Sequence, residues 1–102
     1  MTDPTIDAIS DCSSNEFHHI NTSNALLHGK HVLCEKPLAI NLKCAEGILQ
    51  AERISGKKLM VAYNQRFTKA HQKAKEIIEG KMLGEVLTFS TTFGHQGPET
   101  WG

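Results

Sequence analysis

Gly29-Lys30-His31-Val32-Leu33-Cys34-Glu35-Lys36-Pro37-Leu38-Ala39 is the stretch on which the fold turns. His31 to Cys34 reads as a short strand between a glycine and a charged pair. Pro37 has no amide proton to give to a ladder, so it should end the strand. Glu35 and Lys36 then stand at the strand's carboxyl end, the edge where open α/β sheets bind ligands. Lys36 is a candidate general acid or substrate clamp, and Glu35 a candidate partner for a cofactor hydroxyl. The same pair also suits a plain solvated strand end, because short motifs recur by chance.

On the amino-terminal side, Ile6 to Cys12 reads as a strand with Ile6, Ala8, Ser10 and Cys12 on one face. Ser13-Ser14-Asn15 follows as a turn with a helix cap. A helix from Glu16 to about His28 places Ile20, Ser23, Asn24 and Leu27 along one side, and Gly29 stops it. On the other side, Asn41 caps a helix from Leu42 to about Ser55 with Leu42, Ala45, Ile48 and Leu49 as its apolar stripe, and Gly56 follows. Lys58 to Ala62 is a third strand. Thr68 caps a third helix with Ala70, Ala74, Ile77 and Ile78 inward, ending at Gly80. Glu85 to Phe93 reads as a fourth strand, rich in β-branched and aromatic residues. Gly94 to Gly102 is loop-like.

Strands and helices alternate, which predicts a parallel α/β sheet. Three parallel strands make a thin sheet, since parallel strands need cover on both faces. The chain of 102 residues has room for one small domain, and it reads as a piece of something longer. Its 11 basic and 11 acidic residues balance, so charge gives no reason to expect a nucleic-acid or anionic-membrane partner. No apolar stretch approaches the roughly 18 residues of a membrane span. The opening Met1-Thr2-Asp3-Pro4 lacks the pattern of a signal peptide. Cys12, Cys34 and Cys44 are therefore expected to be reduced, cytoplasmic and mostly buried, with Cys44 in a helix core. His28-x-x-His31-x-x-Cys34 has finger-like spacing, but residues three apart on a strand point to opposite faces, so no metal site is expected.

The ordered set of motifs resembles the Gfo/Idh/MocA family of NAD(P)-dependent sugar and polyol oxidoreductases. The resemblance is carried by Ile6 to Ile9, Asn15 and His18, Ala25 to Ala39, Met60 to Phe67 and Ile77 to Val86, with Gly94 to Pro98 and Trp101 resembling a family loop. It implies an incomplete Rossmann-like sheet of about three parallel strands with helices, plus the first strand of a second α+β domain. Residues 1–66 would be the carboxyl-terminal part of an NAD(P)-binding domain, and 67–102 the start of a substrate domain. It further implies that Lys36 lies near the nicotinamide and the substrate oxygen, where it can stabilise an alkoxide or relay a proton. Glu35 would meet the nicotinamide ribose, and the Lys36–Pro37 peptide is a candidate for the cis form. Ser13, Ser14 and Asn15 suit the cofactor's ribose and carboxamide groups, with plain helix capping as the alternative for Asn15. The family proline near Ser14 is missing. His18 matches the family's helix-start histidine and is a candidate cofactor contact, with a satisfied structural histidine as the alternative. Asn64 would lie near the nicotinamide, Arg66 beside the cofactor or at the domain junction, and His95 and Trp101 near the substrate.

The departures bound the expected activity. The family's Gly-x-Gly-x-x-Gly turn cradles the pyrophosphate, and no such spacing occurs among the eight glycines. The residue that reads the adenosine ribose and the family's Asp/His pair have no counterpart here either. The chain is therefore expected to be a fragment that binds NAD or NADP weakly and does not catalyse alone, with a sugar-like substrate in a fuller context. A bared sheet would lead it to form a homo-oligomer or to pair with a complementary chain. The alternative is a non-catalytic nucleotide-sensing or partner-binding member.

Overall fold

A period of two along each strand decides what this sheet covers and what it leaves open. The computed structural model describes residues 2–94. The chain forms two units, Met1–Asn64 and Gln65–Gly102. The first contains β1 (Ala8–Asp11), α1 (Asn15–Leu27), β2 (His31–Cys34), α2 (Leu42–Ser55) and β3 (Leu59–Val61). The strands are parallel in the order β1-β2-β3. This is the three-stranded, incomplete Rossmann-like sheet predicted above.

Register aligns Ile9, Val32 and Leu59 across the sheet, and likewise Asp11, Cys34 and Val61. These residues share one face, and α1 and α2 supply its cover. Val32 and Cys34 join Ala25 and Leu26 of α1 and Ile48 and Ala51 of α2 in the core, with Ile9, Leu38, Ala39 and Leu59 packed against it. The alternate rows, Ala8 with His31 and Ser10 with Leu33 and Met60, lie on the opposite face. There Leu33 and Met60 are exposed, beside a shallow apolar trough of about 820 Å³.

The helices begin and end where local chemistry dictates. Asn41 accepts the Cys44 amide at 2.9 Å through its side chain and starts α2. Gly56 ends it at φ +64°, a left-handed conformation that a Cβ disfavours. Gly47 lets α2 approach α1, since a Cβ there would lie 2.6 Å from His19 Nε2. Lys30 is buried, and its ammonium donates to the carbonyls of Asp3 and Ile6 at 2.6 and 2.7 Å, which pins the segment before β1.

The apolar stripe expected for α1 is not its inward face. Ile20 and Leu27 are exposed, whereas His18, Thr22, Ala25 and Leu26 are buried. Two polar side chains occupy the inward positions because partners on β1 and the following turns satisfy them. In α2, Ile48 is buried as expected, but Leu42 and Leu49 are exposed and Ala51 takes the inward place. Cys34 is buried, Cys44 half-buried and Cys12 exposed, so burial holds fully for one thiol of three.

A 3₁₀ turn, Asn64–Phe67, crosses from the first unit into the second. Thr68 then caps α3 (Lys69–Glu79), and Gly80 follows. No residue of α3 is buried, and Ile78, expected inward, is exposed. Ion pairs Lys73–Glu76 and Lys75–Glu79 decorate its surface, where such pairs contribute little. The predicted fourth strand does not form within the described residues, since residues 85–94 make no ladder. Its β-branched pattern is real, but a strand needs a neighbour to take its backbone hydrogen bonds. No described helix is long and apolar enough to cross a membrane.

Candidate functional site at the carboxyl edge of the sheet

Parallel pairing brings three strand ends to one edge. The Glu35 amide donates to the Asp11 carbonyl at 2.9 Å, and the Ala62 amide to the Cys34 carbonyl at 2.8 Å. The ladder thus continues one residue past β2 and β3, to Glu35 and Ala62, with Ser13, Lys36 and Tyr63 following at the same edge. The Lys36–Pro37 peptide is cis. Glu35 is half-buried and Lys36 exposed. One Glu35 carboxylate oxygen, Oε2, accepts the Lys36 amide at 3.1 Å. Among the described residues the Lys36 ammonium makes no hydrogen bond and no ion pair. A surface ion pair is thus not what holds Lys36 there.

The turn after β1 is organised by Asp11, which sequence reasoning missed. Asp11 Oδ1 accepts the Ser13 hydroxyl at 2.6 Å and the Ser13 amide at 3.2 Å. Asp11 Oδ2 accepts the hydroxyl of fully buried Thr22 at 2.8 Å. Asn21 donates to the Ser13 hydroxyl oxygen at 3.1 Å. Burial alone would raise the Asp11 carboxyl. The bonds from Ser13 and Thr22, with the charge of His18, outweigh it and hold the group below the ordinary carboxylate range. Burial does win at Cys34, whose thiol is pushed up, so it is a poor nucleophile. The signal for Asp11 was an Asp two residues before a Ser at a strand end, an Asx turn. A small cleft of about 340 Å³ lies over Ser10, Asp11, Ser13 and Asn21.

The predicted residues do not all gather at this edge. Ser13, Glu35 and Lys36 stand at this edge, and Asn64 follows β3. Ser14, not Asn15, is the N-cap of α1, and its hydroxyl makes no capping bond. Asn15 is the first, exposed residue of the helix, with its amide side chain uncommitted among the described residues. His18, expected beside the cofactor, is fully buried with both ring nitrogens against backbone carbonyls, of Pro37 at 2.8 Å and Ser13 at 2.9 Å. It has no free polar atom for a direct cofactor contact. Arg66 belongs to the second unit, where it lies exposed in the 3₁₀ turn. His95 and Trp101 lie outside the described residues. No group of three potential metal ligands is gathered among the described residues.

Residues 1–63 match the model of an oxidoreductase family with an NAD-binding Rossmann fold, Gfo/Idh/MocA. The chain is 35% identical over 97 residues to D-glucoside 3-dehydrogenase of Escherichia coli strain K12, covering 94% of this chain and 28% of the relative. It is 40% identical over 85 residues to 1,5-anhydro-D-fructose reductase of Ensifer adhaerens, covering 83% of this chain and 26% of that protein. An NAD-binding oxidoreductase from Klebsiella pneumoniae superposes with a TM-score of 0.76 at 43% identity, over 82% of this chain and 22% of the other. The chain spans about a quarter of the length of these relatives.

Proposed function

This chain belongs to the Gfo/Idh/MocA oxidoreductase family with an NAD-binding Rossmann fold, and from that premise we propose that its carboxyl edge forms the nicotinamide side of a sugar or polyol oxidoreductase. The observation that carries the reading is Lys36: an exposed ammonium without an ion pair, two residues past the central strand, on a turn that the core anchors.

The groups present fit one half of a dinucleotide. Glu35 keeps one carboxylate oxygen uncommitted, and the side chains of Ser14, Asn15 and Asn64 make no hydrogen bond among the described residues. Such a mixture of donors and acceptors suits ribose hydroxyls and a carboxamide. Nothing in the glycine spacing suits a pyrophosphate. A nicotinamide bound there supplies the carbon that gives or takes the hydride. Lys36 donates a hydrogen bond to the substrate oxygen and holds or returns its proton as charge develops. Glu35 orients a ribose hydroxyl by accepting from it, while Ser13, locked by Asp11, shapes the floor. In this reading residues 1–66 are part of the cofactor domain, and 67–102 begin a substrate domain. The reading takes either NAD or NADP as the cofactor and a cytoplasmic location.

Titration of the chain with NADH and NADPH, followed by amide chemical shifts, tests this. The expected response is confined to Ser13, Ser14, Asn15, Glu35, Lys36 and Asn64, with millimolar affinity, or roughly −4 kcal/mol. Silence at that edge, or a response centred on Leu33 and Met60 of the open face, would overturn it.

A further inference from the structure

His18 is a titratable side chain with no exposed surface and no part in the chemistry above. Its Nδ1 lies 2.8 Å from the Pro37 carbonyl oxygen and its Nε2 2.9 Å from the Ser13 carbonyl oxygen. Carbonyl oxygens only accept. A neutral imidazole carries one N–H and one lone pair, so it can satisfy one of them and would turn a lone pair toward the other. Flipping the ring does not help, because it sets carbons against the carbonyls at distances below ordinary C–H···O contact. Two donated bonds require two ring protons.

The opposite charge is close at hand. Asp11 is buried on β1, and Ser13 stands between the two groups. The Ser13 carbonyl faces His18, whereas its amide and hydroxyl protons face Asp11 Oδ1. A cation without surface is costly unless an anion and good hydrogen bonds oppose that cost, and this arrangement supplies both. The two carbonyls belong to different turns: Ser13 follows β1, and Pro37 follows Lys36 directly in the chain.

We propose that His18 is a doubly protonated clamp that joins the turn after β1 to the Lys36–Pro37 turn, and so is a positioning residue for Lys36. The clamp itself stands on the hydrogen-bond geometry, while its service to Lys36 rests on the nicotinamide reading. It predicts that the two turns move together when the ring is lost.

Ring-¹⁵N spectra of the chain at neutral pH give the direct test. Both His18 nitrogens are expected to carry protons, and a nitrogen with a free lone pair overturns the clamp. His18→Gln offers one amide nitrogen, which can reach only one of the two carbonyls. Its amide shifts are expected to change at Ser13, Lys36 and Leu38 together and to stay fixed along β3, with the NADH response at Lys36 lost. Unchanged shifts at the Lys36 turn would overturn the positioning role. Should that variant fail to fold, the wild-type ring spectrum still decides the clamp. A doubly protonated ring in a chain that ignores NADH supports the clamp and removes the nicotinamide reading alone.

Discussion

Replacing Thr22 by valine isolates one hydrogen bond of the network that shapes the edge. Thr22 is fully buried on α1, and its hydroxyl donates to Asp11 Oδ2 at 2.8 Å. Valine keeps the shape and removes the donor. A hydrogen bond to a charged group is worth roughly 1.5–3 kcal/mol. The added methyl returns up to about 0.8 kcal/mol of apolar burial. The net loss is then about 1–2 kcal/mol, and at about 4–8 °C per kcal/mol for a domain of this size the melting temperature falls by about 5–15 °C. Acidity supplies a second handle. The Asp11 carboxyl is held below its ordinary value by bonds from Ser13 and Thr22 and by His18, against the opposing effect of burial. A depressed carboxyl stabilises the fold above its unfolded value, near about 3.9, and that contribution drains away as pH falls through the lower folded value. The gap between wild type and Thr22→Val is therefore expected to hold from neutral pH to about 4 and to narrow below it. Thermal melts across pH provide the assay. A gap under about 0.5 kcal/mol at neutral pH, the scale of an inert substitution, or one that persists unchanged in acid, would refute the reasoning.

Three further outcomes follow from the same structure. Gly47→Ala places a Cβ 2.6 Å from His19 Nε2. The atom met is the far end of the half-buried His19 side chain, so the ring can turn aside and most of the gain of about 1 kcal/mol in helix propensity should survive. In a His19→Ala background the gain should reach the full value of about 1 kcal/mol, which a double-mutant cycle of melts would reveal. Gly56→Ala forces a Cβ into φ +64° with nothing nearby to contact, so denaturant titration should show a loss of about 1–2 kcal/mol from the backbone alone. Lys36→Ala should leave the melt within about 0.5 kcal/mol, as for other exposed sites. Where hydride transfer can be measured it should lower turnover by about 10²-fold or more, and steady-state kinetics beside the melt separate the two effects.

Punctuation explains which elements could be read from residues alone. Asn41 and Gly56 bracket α2 and Thr68 starts α3, because a side-chain acceptor and a left-handed glycine act locally. β2 was legible for the same reason, lying between Gly29 and the Glu-Lys-Pro run. The inward face of α1 was not legible. Apolar periodicity cannot foresee a buried His18 or Thr22 whose partners, Pro37 and Asp11, are 19 and 11 residues away in sequence. The fourth strand was misread because β-branched residues record a preference for a pleated surface, and only a partner makes the ladder. Of the site, Glu35 and Lys36 were visible through Pro37. Asp11, which orders the neighbouring turn, was hidden inside a strand pattern that valued only its apolar neighbours.

The order of the strands also ties reactivity to resistance against opening. β2 is hydrogen-bonded on both sides, whereas β1 and β3 each have one partner within the sheet. Edge strands can fray one at a time, but β2 cannot be released without losing both ladders. Its amides should exchange with solvent only when the whole unit unfolds. Lys36 is two residues beyond its last member, Cys34. The lysine's flexible stem is thus rooted in the one strand of this sheet that is paired on both sides. Its tip can swing toward a ligand while its base is held still, and a change that loosens the base should first appear as faster exchange in β2.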